Sequence, residues 1–333
     1  MSDALLYGGF AAIVTVLLAV DLFVVQRDTH AVSIKEAGIW SAIWIGVAIV
    51  FGLFVPRLHA GAEQATPAVI QYFTGYLIEK SLSVDNVFLF VIIFSSMGVP
   101  NHLQHRVLFY GVLGAIVMRT VLILAGAALV GRFEWVLYVF GAFLLYVAWK
   151  TWRSRDETED ITESKLMRRV RKVIPTTHDY RGERFFVREN GRLLATPLLV
   201  VLILVEFSDL IFATDSIPAI FAITRDPFIV LTSNIFAILG LRSLYFLLAG
   251  VSDRLRYLKH GLAVILGFVG VKLLTELVHG IWHPSPLESL GIVSSILAVT
   301  VVASLRAGPA EEAPAAEDEA EAPAEEASQR AQQ

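Results

Sequence analysis

Long apolar stretches dominate this chain and leave it almost no choice of environment. About nine segments come close to the ~20 residues that a helix needs to cross a bilayer: Leu5–Val25, Gly38–Val55, Ala68–Met97, Val107–Val130, Trp135–Trp152, Ala195–Thr224, Phe228–Val251, His260–His279 and Leu287–Leu305. With 56% of residues hydrophobic, 17% charged and a mean hydropathy of +0.64, one water-soluble core could not absorb them. In hydrocarbon every backbone polar group must be satisfied internally, which leaves helices or closed barrels. The expected fold is therefore an all-α polytopic membrane protein with about nine transmembrane helices. Met1–Tyr7 holds no Lys or Arg, so the first segment reads as a retained helix with its N-terminus outside, not as a signal peptide.

Loop charge sets the orientation, since cytoplasmic loops carry the excess of Lys and Arg. Nine crossings put Arg27, Lys35, Arg106, the basic stretch Arg153–Arg192, Arg254, Arg256, Lys259 and Arg306 on one side, against Arg57, Arg132 and Arg225 on the other. The first side is expected to be cytoplasmic, as is the C-terminal tail. The loop over 153–194 has mixed charge and reads as a solvated linker with one short helix. The tail, 307–333, is rich in Ala, Glu and Pro and reads as disordered. Its acids, against the single Arg330, turn the formal charge of the whole chain to −4, and the body without it is slightly basic. No basic stripe points to nucleic acid, and nothing in the sequence assigns a protein partner.

Two of the apolar segments carry acids that copy each other. Glu79-Lys80-Ser81-Leu82-Ser83-Val84-Asp85-Asn86 has carboxylates at i and i+6, and so does Asp209-Leu210-Ile211-Phe212-Ala213-Thr214-Asp215-Ser216, with Glu206 just upstream. Each motif is followed by a helix holding an arginine and then by one holding a lysine: Asp85, Arg119, Lys150 and Asp215, Arg242, Lys272. Three helices per unit is an odd number, so the units over about 68–152 and 195–279 would enter the membrane from opposite sides as two inverted three-helix repeats.

Carboxylates at bilayer mid-depth are costly and persist where they are paired, wet or bound to something. On a straight helix, i and i+6 lie about 120° apart and ~9 Å along the axis, so Glu79 and Asp85 could hold one small ion together only from an unwound stretch, and the two long segments that carry the motifs read as tilted or interrupted helices. Pro218 frees the carbonyl of Thr214 beside Asp215. Carboxylates, that carbonyl and the side-chain oxygens of Asn86, Thr214 and Ser216 form an all-oxygen set, which suits hard cations: Mn²⁺, Mg²⁺, Ca²⁺, Na⁺ or protons. With no Cys and no His outside loops and helix ends, a buried zinc or copper site is not expected. The alternative is that these acids are ion-pair partners of Lys80, Arg119, Arg242 and Lys272, a buried glue between helices. Arg119 and Arg242 suit locking carboxylates better than touching a cation. Asp21 fits either a site or a snorkelling cap, and Asn234 fits interhelical hydrogen bonding.

The chain lacks G-x-x-x-x-G-K-[ST], a nucleotide fingerprint and paired central histidines, so it is not expected to be an enzyme, to hydrolyse ATP or to hold a tightly bound cofactor. The absence of Cys removes a dithiol redox centre.

The run Gly75-Tyr76-Leu77-Ile78-Glu79-Lys80-Ser81-Leu82-Ser83-Val84-Asp85-Asn86-Val87-Phe88 resembles the first signature of the TerC/Alx family of bacterial integral membrane proteins, and Glu206 through Ile220 resembles the second. The resemblance runs from about Gly8 to Arg306, within a transmembrane unit at 1–306. The family is linked with tellurium resistance, alkaline induction, redox modulation and manganese export. It implies a multi-pass protein of the bacterial cytoplasmic membrane whose partners are lipid and a divalent metal ion, with Mn²⁺ as transported substrate. Any metal role would fall on Asp85, Asn86, Asp209 and Asp215, with Glu79 and Glu206. Two expectations follow: a proton-coupled exporter, or a non-transporting stress-resistance protein acting through partners.

Overall fold

The computed structural model describes residues 3–23, 34–153, 176–177, 179–189, 192–249, 257–276 and 284–307, without the side chains at 3, 22, 23, 62, 85, 249 and 276. The helices are α1 (Asp3–Phe23), α2 (Ile34–Ser96), α3 (Asn101–Arg132), α4 (Val136–Arg153), α5 (Pro197–Phe221), α6 (Pro227–Ile238), α7 (Leu241–Ala249), α8 (Leu258–Glu276) and α9 (Pro286–Ala307). A small antiparallel hairpin, β1 (Phe186–Glu189) and β2 (Arg192–Ala195), precedes α5. It stands in the loop where a linker with a short helix was expected. The side chain of Asp85, most of the 153–194 loop and the tail beyond Ala307 lie outside the described residues.

Six helices among the described residues are long and apolar enough to cross a membrane, or seven when the bent pair α6–α7 counts as one span. The all-α membrane class is therefore plain. The remaining two expected crossings, the arm of α2 after Gly61 and the 18-residue α4, carry Glu79 with Lys80, and Lys150 with Arg153.

The breaks do not fall where the sequence put them. The helix is continuous through 79–85, and the Ser81 hydroxyl donates back to the Leu77 carbonyl at 2.6 Å without opening it. α5 is continuous through Pro218, which lies in its last turn; the proline leaves the Thr214 carbonyl without its helical N–H donor but does not end the helix. The breaks instead sit at glycines with positive φ. Gly61 (φ +77) divides α2 into two arms. Gly240 (φ +81) separates α6 from α7, which meet at 41°. A Cβ at Gly240 would lie 2.7 Å from Cβ of Trp44, so this corner needs glycine for both its backbone and its space.

The packing exchanges partners in a regular way. α2 lies against α6 and α7, α3 lies against α5, and α4 packs most extensively on α8. Phe51, Tyr72, Phe94, Phe228 and Phe236 are among the aromatic residues of the core, with Phe51 and Phe236 ring centroids 4.4 Å apart. Polar contacts tie the loops at each end. At one end Arg106 pairs with Glu183 (2.6 Å) and Tyr245 Oη donates to Gln104 (3.0 Å). At the other, His59 meets Asp226 (2.7 Å) and Arg225 meets Glu134 (2.9 Å). Asp226 also caps α6, accepting from the N–H groups of Phe228 (2.9 Å) and Ile229 (3.4 Å).

Candidate functional site

The centre of the bundle is built around Arg119. Its side chain is fully buried midway along α3, so its five N–H donors must all find acceptors inside the protein. Asp209 of α5 takes two of them as a fork: Nε donates to Oδ2 at 3.0 Å and Nη2 to Oδ1 at 2.8 Å. Nη1 pairs with Glu79 of α2, and it also points to Ser216 Oγ (3.1 Å) and Asn234 Oδ1 (3.3 Å). Asn234 completes a ring, donating through Nδ2 to Glu79 Oε2 at 3.0 Å. Four helices thus meet on one guanidinium, and the planar bidentate geometry explains why arginine serves here and lysine would not.

Helical spacing explains which residues gather. Glu79, Ser83 and Asn86 stand at i, i+4 and i+7, on one face of α2; Asp209 and Ser216 stand at i and i+7 on α5. The repeated i, i+6 acids do not share a face, and Asp215 stays outside the cluster. Asn86 Nδ2 approaches Asp209 Oδ1 at 3.3 Å, while its Oδ1 is buried with no hydrogen-bond partner. Ser83 Oγ is buried and unpartnered as well. Ser83 was not singled out as a site residue in the sequence, although its i+4 offset from Glu79 was there to be read.

The other expected site residues are dispersed. Glu206 is partly buried, its carboxylate pressed against Gly114 of α3, where any Cβ would overlap it. Asp215 is also partly buried and takes a 3.4 Å contact from the hydroxyl of exposed Thr214. Asp21 pairs with Arg242 of α7 at 2.9 Å, which removes both from the centre. Lys80 donates to the carbonyl of Ala237 at 3.1 Å. That carbonyl belongs to the last turn of α6, which ends at the Gly240 corner, so the ammonium caps a helix C-terminus. Lys272 is buried in α8. Among the described residues no three of His, Cys, Asp and Glu come together as a group able to hold a metal ion.

The local charge is balanced: Glu79 and Asp209 against Arg119 and Lys80. A pair of carboxylates from two different acidic motifs is thus held closed by one basic residue between them. The arrangement can act as an interhelical lock. The same two charges equal those that a divalent cation would need if the guanidinium moved away.

Residues 64–311 match the model of the integral membrane protein TerC family. The chain is 52% identical over 302 residues to a Salmonella typhi protein provisionally named membrane-bound redox modulator Alx, covering 90% of this chain and 93% of that one. It is 50% identical over 300 residues to the uncharacterized membrane protein STKORF319 of Myxococcus xanthus (90% and 92%). It is 43% identical over 280 residues to the chloroplastic thylakoid membrane protein TERC of Arabidopsis thaliana (84% and 70%). No solved structure matches it. A family match over most of the chain, with relatives aligned nearly end to end, shows that this chain belongs to the TerC family of integral membrane proteins.

Proposed function

We propose that this protein exports divalent metal cations, manganese foremost, from the cytoplasm across the bacterial cytoplasmic membrane. The observation that carries the reading is the Arg119 clamp. It joins Glu79 and Asp209, one from each acidic motif, beside the unpartnered oxygens of Asn86 and Ser83. Buried oxygens without donors are costly in a protein interior, and a hard cation is a natural partner for them. In this reading the structure is the cation-free, locked form. Release of Arg119 from both carboxylates would uncover a doubly negative, all-oxygen set. Asp85, Asp215, Glu206 and Thr214 would line the route on either side of it, and carboxylates able to hold protons or metal would couple the two flows. The protein acts without an enzymatic step or a tightly bound cofactor.

The architecture proposed with it has nine crossings, N-terminus outside and tail inside. Residues 68–152 and 195–279 form inverted repeats within a unit at 1–306. The exchange of partners among helices supports it, because α2 on α6–α7, α3 on α5 and α4 on α8 is the pattern a twofold relation between three-helix units produces. So does the segregation of loop contacts, since residues assigned to opposite sides never pair in the contacts described above.

A second reading has its own observation. Charge balance at Arg119 also suits a purely structural lock, and the name of the Salmonella relative speaks of redox modulation. The deciding experiment is Mn²⁺ flux in proteoliposomes with and without a pH gradient. Flux in the parent that is lost in Asp209→Asn and Glu79→Gln supports export. A parent protein that moves none of Mn²⁺, Mg²⁺, Ca²⁺ or Fe²⁺ refutes it.

A further inference from the structure

The segment leading into α5 carries an exposed apolar face among arginines. In the β1–β2 register, Phe186 lies opposite Ala195 and Arg188 opposite Leu193. Side chains alternate along each strand, so Phe186, Arg188 and Leu193 share one face of the hairpin. Phe186 is 52% exposed and Leu193 62%. On a loop surrounded by water, two large apolar side chains would be left uncovered.

The segment just before the hairpin is tied to the ends of α2 and α3. Tyr180 Oη donates to the Met97 carbonyl at 2.8 Å, at the turn between α2 and α3. The Arg106 guanidinium pairs with Glu183 and lies over the rings of Tyr110 (5.8 Å) and Phe185 (5.5 Å). Phe185 in turn meets Tyr110 edge-on, with centroids 5.2 Å apart. Tyr110 begins the exposed apolar stripe of α3, continued by Leu113, Val117, Val121 and Leu124. On a spanning helix that stripe faces lipid. α5 starts at Pro197, directly after β2. The hairpin is therefore held where hydrocarbon gives way to headgroups, the depth at which amphipathic side chains collect.

Its charges complete the picture. Glu183 and Glu189 are taken by Arg106 and Arg181. Arg184, Arg188 and Arg192 are exposed, and no described residue forms an ion pair with them. We propose that this hairpin is an interfacial anchor for anionic phospholipid, with Phe186 and Leu193 entering the boundary between acyl chains and headgroups while Arg184, Arg188 and Arg192 bind lipid phosphates. The proposal rests on α3 and α5 crossing the membrane and is independent of metal transport.

The chain has no cysteine, so Leu193→Cys gives a single labelling position on the full-length protein. A dansyl group there is reconstituted into mixed phosphatidylglycerol and phosphatidylcholine vesicles. It is then challenged separately with headgroup-proximal nitroxide on either lipid and with iodide in the water. The expected result is stronger quenching by nitroxide phosphatidylglycerol and little by iodide, with each arginine contributing on the order of fivefold to the preference. Combining Arg184→Gln, Arg188→Gln and Arg192→Gln should bring the two lipids to parity. A dansyl at Val117→Cys, on the lipid stripe, should show no preference in either background and reports that the variant is folded in the bilayer. Strong iodide quenching with none from lipid would place the face in water, and no quenching by any agent would show a second copy or another protein covering it. Either result overturns the proposal, as does a preference that survives loss of the three arginines.

Discussion

Replacing Arg119 with Met should be among the most damaging single changes in this protein. The side chain is completely buried, and its loss strands Glu79 and Asp209 together in the interior, along with the acceptors on Ser216 and Asn234. Breaking a buried ion pair from one side costs about 3–5 kcal/mol. Here one guanidinium serves two carboxylates, so the upper end of that range, about 5 kcal/mol, is expected. Neutralising the stranded acids should undo most of the damage. Arg119→Met combined with Glu79→Gln and Asp209→Asn should unfold within about 2 kcal/mol of the parent, because the desolvation of all three charges goes with them. Among single acid changes, Asp209→Asn should cost more than Glu79→Gln, since Asp209 receives both arms of the fork and Asn86. Reversible unfolding in mixed micelles titrated with dodecyl sulfate, followed by the fluorescence of the six tryptophans, reads these differences directly. A loss below about 1 kcal/mol for Arg119→Met would place the residue with exposed pairs and refute the clamp. So would a triple variant no more stable than the single one.

Two glycines give opposite outcomes in the same assay. Gly240→Ala should cost about 1–3 kcal/mol, because its φ of +81 and the nearby Trp44 both exclude a Cβ. Gly291→Ala, inside α9 with nothing within 4 Å of the new carbon, should stabilise by about 0.5–1 kcal/mol. Burial pushes the Tyr180 hydroxyl up to about 12 from its ordinary 10.0. The unfolded chain therefore loses its proton first as pH rises. The stability from this group is complete below pH 10.0 and falls away through about 12. Tyr180→Phe should remove that part of the alkaline loss, as seen in unfolding midpoints across the range.

Much of the fold was legible because hydrophobic runs are local. The end of α3 and the starts of α5 and α6 sit close to where apolar stretches end and begin. The acidic motifs were legible for the same reason, since a charge inside such a run is conspicuous. What the sequence could not supply was choice of partner. Arg119 and Arg242 look alike on paper, yet one clamps Glu79 and Asp209 while the other pairs with Asp21, two helices that nothing in the sequence links. The break in the second unit was sought at Pro218, the obvious breaker. α5 runs through Pro218 despite the lost N–H, and the break lies at Gly240, where a positive φ and the close approach of Trp44 turn the corner. Asn86 and Ser216, at the i+7 positions that share a face with Glu79 and Asp209, were among the candidate ligands named from the sequence, whereas Ser83 at i+4 was not. In the loop, four-residue strands of mixed charge carry too short an alternation to stand out, and the hairpin went unforeseen.

The triple variant also separates the two functional readings, because it uncouples stability from charge. If Glu79, Arg119 and Asp209 only hold helices together, replacing them by Gln, Met and Asn preserves what the protein does as long as it folds. If they form the cation site, the same protein should fold and yet move no manganese, since the two negative charges that would balance the ion are gone. The comparison needs parent flux well above empty vesicles and a folded triple variant by the dodecyl sulfate titration. Flux should then drop to the empty-vesicle rate. A folded triple variant that still carries Mn²⁺ at the parental rate would show that the ion passes elsewhere, and the Arg119 cluster would then be a lock and nothing more.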